Sequence, residues 1–142
     1  MNKKKVLFTC VHNAARSQMA EAFLKQIAGD KFEVESAGLK PSTLNPIVVE
    51  VMKEIGIDIS ANKPQSIQCL LDKGKTFDYI FTLCNEAQAE RCPIFPGGYK
   101  RIHMGFADPS CFRGSCEEKL EQTRKVRNKI KKTLEEWVSS VL

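Results

Sequence analysis

The sequence has no apolar run that approaches the ~20 residues needed by a membrane-spanning helix. This absence argues against a protein that spans a membrane by helices. A basic start precedes the apolar run from Val6 to Thr9, which is too short for a signal-peptide core and has no small-residue cleavage site after it. We therefore expect a cytoplasmic protein with no membrane partner.

Internal repeats, low-complexity segments and linkers are also missing. A chain of 142 residues has the usual size of one domain, and nothing in its composition argues for a second. We expect residues 1–142 to form a single domain that acts as a monomer.

Acidic residues are fewer than basic ones, 17 against 22, which gives a net charge of +5. The basic residues are scattered, and they are densest near the C terminus, where they alternate with apolar positions as on a solvated helix face. We therefore expect no nucleic-acid partner. The positive charge favours the approach of anions instead.

Cysteine, by contrast, is abundant. The six cysteines are Cys10, Cys69, Cys84, Cys92, Cys111 and Cys116. In a reducing compartment structural disulfides are rare, so thiols more often serve catalysis or metal binding. The close C-x2-C pairs typical of zinc sites are missing. We expect neither a metal nor another cofactor. The alternative is a zinc ion bound by Cys84 and Cys92. We assign no role to Cys69, Cys111 and Cys116.

The apolar pattern alternates between strands and helices. Strands are predicted at Lys5–Thr9, Phe32–Ser36, Asp78–Leu83 and Tyr99–His103, and helices at Ala15–Ala28, Pro46–Ile55 and Glu117–Val141. Residues 63–75 are ambiguous. Such alternation is typical of β-α-β units, which indicates an α/β protein whose parallel sheet binds ligands at the carboxyl ends of its strands.

An unusual loop follows the first predicted strand and opens the first predicted helix. Its residues are Cys10, Val11, His12, Asn13, Ala14, Ala15, Arg16 and Ser17. Backbone N–H groups at a helix start converge on an anion, and the helix dipole adds positive potential. The loop has no glycine and no Walker lysine, so its cysteine and arginine indicate chemistry on the anion rather than nucleotide binding. We expect the whole loop to bind a tetrahedral oxyanion.

Several side chains of this loop have predicted roles. Cys10 is the expected nucleophile, because a helix start and a neighbouring arginine favour the thiolate. Arg16 can bend over the loop and bind two anion oxygens with its planar guanidinium. Ser17 can donate a hydrogen bond to the sulfur, and Asn13 can adopt an unusual backbone angle or bridge loop atoms. A general-base role for His12 is less attractive, since a thiolate already formed needs no base.

Two features elsewhere in the sequence fit the same site. Asp108-Pro109 lies in a predicted loop, where a protonated aspartate can give a proton to a leaving oxygen, although this dipeptide is also common in turns. Cys84 ends the predicted central strand and so emerges at the sheet edge that carries Cys10. Cys92 follows across a helix-compatible segment, so a Cys84–Cys92 disulfide requires that segment to move.

With these residues in place, the sequence resembles the thioredoxin-coupled arsenate reductases over nearly its full length. The matching motifs are Cys10 to Ser17, Thr82-Leu83-Cys84, Cys92-Pro93 and Gly105 to Pro109. The resemblance implies the fold of the low-molecular-weight protein tyrosine phosphatases, a four-stranded parallel α/β sheet flanked by helices on both faces. The fold alone does not separate reductase from phosphatase, but a reductase needs two electrons from thiols, which the second cysteine pair can supply.

The resemblance also implies a mechanism of arsenate reduction, an activity that serves arsenic detoxification. Cys10 attacks arsenate, Arg16 and the loop amides hold its oxygens, and Asp108 protonates the departing oxygen. Cys84 then attacks Cys10 and releases arsenite, and Cys92 attacks Cys84 and carries the disulfide to thioredoxin. Phosphate and sulfate are the expected substrate analogues. Glutaredoxin or a small thiol is the alternative electron donor.

Two departures from the family pattern bear on this expectation. Seven residues separate Cys84 from Cys92, where some members have six, and the relay should tolerate one more. A phosphatase of this fold usually has an aromatic residue directly after Asp-Pro, where this chain has Ser110, and this favours arsenate over phosphotyrosine.

A third departure concerns a metal ion. Some members bind potassium through residues that match Asn13, Glu21 and Ser36, together with an aspartate. This chain has Gln65 or Ser66 in place of the aspartate, which argues against potassium.

Two other functions remain as alternatives. In the first, the protein is a phosphatase of the low-molecular-weight tyrosine phosphatase type, and Cys84 and Cys92 only protect or regulate Cys10. In the second, the protein is a non-catalytic oxyanion or metalloid sensor, although no DNA-binding element supports that reading.

Overall fold

The computed structural model describes residues 3–85 and 93–142. In chain order, its elements are β1 (Lys4–Cys10), α1 (Arg16–Ala28), β2 (Phe32–Gly38), α2 (Pro46–Lys53), α3 (Ile67–Asp72), β3 (Tyr79–Thr82), β4 (Lys100–His103), a 3-10 turn (Pro109–Cys111) and α4 (Cys116–Val141). None of the helices in these ranges is both long and apolar enough to cross a membrane.

The strands form one parallel sheet in the order β2-β1-β3-β4. The predicted central strand, β3, is an interior strand, as its nearly continuous apolar sequence requires. Register pairs Cys10 with Gly38, Thr9 with Thr82, and Thr82 with His103. The carboxyl ends of all strands therefore meet at one edge of the sheet.

Helices cover both faces of this sheet. Val6 and Phe8 of β1 belong to the larger core cluster, which also contains side chains of α1, α2 and α4. Leu7 belongs to a second cluster together with Ile67 and Leu70 of α3. Because successive side chains of a strand point to opposite faces, these two clusters lie on opposite sides of the sheet. The predicted α/β fold with helices on both faces is confirmed.

Aromatic packing fixes the two interior strands beneath α4. Phe8 and Phe81 are neighbours on β1 and β3, with ring centroids 4.9 Å apart, and Trp137 of α4 meets Phe81 edge-on at 4.9 Å. Each buried side chain of this size contributes about 1.5–3 kcal/mol through the hydrophobic effect. The strand ends that carry the predicted site are thus attached to a rigid core.

The helix starts follow from local side-chain caps. Asn45 accepts a hydrogen bond from the Ile47 N–H, and Pro46 takes the first position of α2, as predicted. Helix α4 begins at Cys116, one residue before its predicted start. A reciprocal capping box between Ser115 and Glu118 caps this end.

Some boundaries differ from the predictions. The ambiguous region contains α3, which Ser66 caps by accepting a hydrogen bond from the Cys69 N–H. Helix α2 ends at Lys53, two residues early. Strand β2 continues two residues further, to Gly38, because pairing with β1 outweighs the low strand propensity of glycine.

Candidate active site

The loop from Cys10 to Ser17 connects β1 to α1. Cys10 is the last residue of β1 and is buried, and Arg16 is the first residue of α1. Ala15 precedes the helix and has no side-chain oxygen with which to cap it. The first N–H groups of a helix have no partners within the helix, so this uncapped start is suited to bind an anion.

A neighbouring segment turns the carbonyl groups of this loop outward. Four backbone N–H groups in residues 39–45 donate to four loop carbonyls at 2.8–3.2 Å. The pairs are Leu39 with Cys10, Lys40 with Val11, Ser42 with His12, and Asn45 with Ala14. Carbonyl oxygens directed into the loop would repel an oxyanion, so these bonds prepare the loop for one.

Asn13 holds the loop from within. Its φ angle of 51° lies in the left-handed region, which agrees with the predicted unusual backbone angle. Its amide nitrogen donates to Ser17 Oγ at 2.7 Å and to Ser36 Oγ at 2.9 Å. Its amide oxygen accepts from the Gln65 backbone N–H at 3.0 Å and from the Gln18 amide at 3.2 Å. These four hydrogen bonds use the full capacity of the buried amide.

Gly38, at the end of β2, supports the loop, a role that the sequence analysis did not assign to it. A Cβ atom at this position would lie 2.7 Å from the Asn13 backbone nitrogen and 2.8 Å from the Val11 oxygen. The loop therefore requires glycine at the end of β2, because its own backbone passes too close for any side chain.

Cys10, the predicted nucleophile, contacts a hydroxyl group. Its Sγ lies 2.9 Å from Ser17 Oγ. Since the serine oxygen already accepts a hydrogen bond from Asn13, its own O–H can donate to the sulfur. The structure thus brings Cys10, Asn13 and Ser17 together, as the predicted hydrogen bond to the sulfur requires.

Arg16 is almost fully buried beside the loop. Its Nη1 donates to the carbonyl oxygens of Phe106 at 3.2 Å and of Leu83 at 3.4 Å, and its Nη2 lies 3.4 Å from Asp108 Oδ2. Its buried Nε has no hydrogen-bond partner within the described parts of the chain. Buried donors are normally paired, so this nitrogen is suited to receive an oxygen of a bound anion.

Asp108 is the turn residue that the sequence predicted, and it lies beside the loop. Its Oδ1 accepts from the Ser110 N–H at 3.0 Å and so begins the 3-10 turn. Together with loop residues it lines a small recess, and its role as an acid stays a prediction. The lining residues are Cys10, His12, Ala14, Ala15, Arg16, Asp108 and Ser110.

His12 borders this recess, but its ring contacts the backbone. His12 Nδ1 lies 3.0 Å from the carbonyl oxygen of Lys40, so this nitrogen carries a proton and donates it there. That contact fixes the position of the ring at the rim. It gives no support to a general-base role, in agreement with the sequence analysis.

Cys84 lies at the same sheet edge as the nucleophile. The Leu83 N–H donates to the Thr9 carbonyl at 2.9 Å, so the residue before Cys84 is still attached to β1. Cys84 is buried, as Cys10 is. The position of Cys84 at the sheet edge that carries Cys10 agrees with the prediction made from β3. Cys92 lies outside the described residues.

The family of this fold follows from comparison with known proteins. The family described as low molecular weight phosphotyrosine protein phosphatase matches residues 5–142. The chain belongs to this family. Within it, the arsenate reductases of Halalkalibacterium halodurans and Bacillus subtilis are 43% and 41% identical to this chain, and each alignment covers 99% of both proteins. The resemblance inferred from the motifs is confirmed.

Solved structures of the phosphatase-like family agree. An arsenate reductase in its oxidized state is similar with a TM-score of 0.79 at 30% identity, covering 98% of this chain and 99% of that one. The thioredoxin-dependent arsenate reductase of Corynebacterium glutamicum gives 0.69 at 30% identity, covering 97% and 63%. A low molecular weight protein tyrosine phosphatase from T. tengcongensis gives 0.78 at 22% identity, covering 97% and 99%, a likeness in fold alone.

Gln65 and Ser66, the two candidates for the position of the potassium-binding aspartate, make different contacts. Ser66 caps α3, whereas the Gln65 side chain donates to the Ser36 carbonyl at 2.8 Å, beside the Ser36–Glu21 hydrogen bond. Neither side chain carries a charge. Within residues 3–85 and 93–142, His, Cys, Asp and Glu side chains form no cluster of three that could hold a metal ion.

The three cysteines without a predicted role lie outside the loop from Cys10 to Ser17. Cys69 is half-buried in α3, and Cys116 is exposed at the start of α4. Cys111 is exposed as well, but its thiol contacts Asp108 Oδ2 at 3.8 Å, a weak hydrogen bond that the sequence did not reveal.

Proposed function

We propose that this protein is an arsenate reductase, which converts arsenate to arsenite through a relay of Cys10, Cys84 and Cys92. The supporting observation is the site itself: a buried cysteine, 2.9 Å from a serine hydroxyl, lies in an oxyanion loop with a second buried cysteine at the same sheet edge. Relatives at 43% and 41% identity that carry the name arsenate reductase support the same conclusion.

In the first half of the reaction, the Cys10 thiolate attacks the arsenic of arsenate. A sulfur–arsenic bond forms, an arsenic–oxygen bond breaks, and the oxygen leaves as water with a proton from Asp108. Arg16 and the backbone N–H groups of residues 11–17 bind the remaining oxygens and stabilise their charge. A phosphatase uses the same two steps, attack by a cysteine and protonation of the leaving oxygen.

In the second half, Cys84 attacks the sulfur of Cys10. A disulfide forms, and the electron pair of the sulfur–arsenic bond passes to arsenic, which leaves as arsenite with arsenic reduced by two electrons. Cys92 then attacks Cys84, so that Cys10 is released as a thiolate and the disulfide moves to Cys84 and Cys92. A dithiol reductant must return two electrons to complete the cycle.

Thioredoxin is the reductant that we propose. The similarity to a thioredoxin-dependent arsenate reductase supports this choice over glutaredoxin or a small thiol. Phosphate is the expected non-reducible analogue of the substrate, since an arsenate reductase of similar structure is known in a phosphate-bound state. The proposal also assigns the whole reaction to one domain, residues 1–142, acting as a monomer in the cytoplasm, where thiols are kept reduced.

Arsenate-dependent NADPH oxidation tests the proposal, with purified protein, thioredoxin and thioredoxin reductase. We expect turnover in the wild type, and at most one arsenite per enzyme in Cys84→Ser and Cys92→Ser. Cys69→Ser is the matched control and should retain turnover, because this thiol lies in α3 away from the loop. Multiple turnovers by Cys92→Ser would contradict the relay.

The same assay separates the alternative phosphatase function. A phosphatase would hydrolyse a phosphate ester with Cys10 and Asp108 and would be indifferent to Cys84→Ser. Absence of arsenate turnover in the wild type, with ester hydrolysis intact, would therefore replace the reductase proposal with the phosphatase one.

A further inference from the structure

Asn45 connects the nucleophile loop with the turn that carries Asp108. Its backbone N–H donates to the Ala14 carbonyl of the loop at 3.0 Å. Its side-chain nitrogen donates to Ser110 Oγ in the turn at 3.2 Å, and its side-chain oxygen accepts from the Ile47 N–H at 2.9 Å. One residue therefore contacts the loop, the turn and α2, and the first two of these line the recess.

Ser110 extends this connection to the acid. The Ser110 backbone N–H donates to Asp108 Oδ1 at 3.0 Å, while the other carboxylate oxygen faces Arg16 at 3.4 Å. Ser110 and Ala14 both line the recess, Ser110 from the turn and Ala14 from the loop. The Asn45–Ser110 hydrogen bond thus joins two walls of this small recess.

We propose that Asn45 is a positioning residue that, through Ser110, holds the Asp108 turn against the nucleophile loop and restricts the recess to small tetrahedral oxyanions. The inference rests on the proposed function of this site as an oxyanion-binding one. A substrate with an aromatic ring would need more room between the loop and the turn than an inorganic oxyanion does, and the Asn45–Ser110 hydrogen bond opposes that opening.

Two substitutions break the connection from opposite ends. Ser110→Ala removes the acceptor oxygen. Asn45→Ser retains a side-chain oxygen that can cap α2, but the shorter side chain no longer reaches the turn. The double variant tests whether both residues act through one contact. Ser139→Ala, at an exposed position near the end of α4, is the matched control.

The test compares two phosphonates that share a dianionic head group and differ in size. Methylphosphonate and phenylphosphonate are titrated for protection of Cys10 against iodoacetamide, which is followed by mass spectrometry of the Cys10 peptide. In the wild type we expect methylphosphonate to protect at the lower concentration. Each single variant should narrow the ratio of the two apparent Kd values by about threefold to tenfold, the range that corresponds to one lost neutral hydrogen bond.

The double variant should narrow this ratio no further than the single variants, and Ser139→Ala should keep the wild-type ratio. An unchanged ratio in both single variants, or effects that multiply in the double variant, would overturn the inference. Failure of methylphosphonate to protect the wild type would overturn it too. Because the readout is binding, absence of arsenate turnover together with a narrowed ratio would reject only the proposed reductase function.

Discussion

Arg16 and Asp108 form an ion pair at 3.4 Å beside the recess that Cys10 also lines, with side-chain exposures of 7% and 22%. The guanidinium proposed to bind an oxyanion is therefore already paired through Nη2 with a carboxylate of its own chain, whereas its Nε has no partner among the described residues. The same carboxylate is the proposed acid of the first step. An anion bound at Nε would lie near the charge of Asp108, so the proposed acid also opposes anion binding while it is charged.

We expect Asp108→Asn to bind phosphate more tightly than the wild type and to react more slowly. Asparagine keeps an oxygen for the Ser110 N–H but removes the charge that competes for Arg16. Loss of a partly buried ion pair of this kind should lower the Kd for phosphate by about threefold to tenfold, measured by calorimetry. Single-turnover arsenite formation should fall by about 10²- to 10⁴-fold, the usual contribution of a general acid.

The control for the change in net charge is Asp30→Asn, at an exposed position outside the site. It should leave both the Kd and the single-turnover rate as in the wild type. Weaker phosphate binding by Asp108→Asn would show that the carboxylate supports anion binding and does not compete with it.

A second prediction concerns the hydroxyl group that faces the nucleophile. Ser17→Ala removes the hydroxyl donor at 2.9 Å from Cys10 Sγ, so the attacking sulfur loses a hydrogen bond. Hydrogen bonds to charged groups contribute about 1.5–3 kcal/mol, so alkylation of Cys10 at pH 7 should slow by about tenfold or more. Thr133→Ala, which removes a hydroxyl on α4, is the control, and an equal slowing in both variants would refute the role of Ser17.

Much of the loop from Cys10 to Ser17 could be predicted from the sequence, because the residues that determine its shape lie within one short segment. A strand before Cys10 and a helix after it place the cysteine at a helix start, and an asparagine tolerates the left-handed angle that Asn13 adopts. The contact between Ser17 and the sulfur follows from the same short segment. These predictions needed only the spacing of the residues and the properties of strand and helix ends.

The supporting contacts could not be predicted in this way, because they join distant parts of the chain. The pairing of Arg16 with Asp108 depends on how the sheet brings β1 and the residues after β4 to one edge. Gly38 lies two residues beyond the predicted end of its strand. Its requirement for glycine comes from the backbone of the loop after the neighbouring strand β1, which passes close to it. The relay role of Cys92 stays a prediction.

A third prediction tests the close approach at Gly38. Gly38→Ala would place a Cβ atom 2.7 Å from the Asn13 backbone nitrogen, and backbone cannot yield as a flexible side chain does. We expect a loss of about 1–3 kcal/mol in the free energy of unfolding, as for overpacking in a core. Protection of Cys10 by phosphate should be weakened as well, because the loop must shift.

The matched control is Gly98→Ala, since a Cβ atom there would have no neighbour within 4 Å. Urea denaturation should show a change of no more than about 0.5 kcal/mol for this variant. If Gly38→Ala unfolded at the same urea concentration as Gly98→Ala and bound phosphate normally, the loop would not require glycine at this position.

The last prediction concerns the ion-pair cluster that joins α2 to α4. Glu54 Oε2 lies 2.7 Å from Arg124, and Glu54 Oε1 lies 3.0 Å from Arg127. The hydrogen bond from Arg124 is the largest cause that lowers the pKa of Glu54 below its ordinary value, with a further contribution from Arg127. A carboxylate whose pKa is lower in the folded state stabilises the fold above its unfolded pKa, and this stabilisation is lost as the pH falls through the folded value.

Glu54→Gln should therefore unfold at a lower urea concentration than the wild type at pH 7, and the difference should shrink below pH 4 and in high salt. Glu50→Gln removes a charge from an exposed position on the same helix and should show no such pH-dependent difference. Because the cluster lies at the surface, the effect should be small and confined to stability. A difference that persisted undiminished in acid would mean that Glu54 acts through packing and not through its charge.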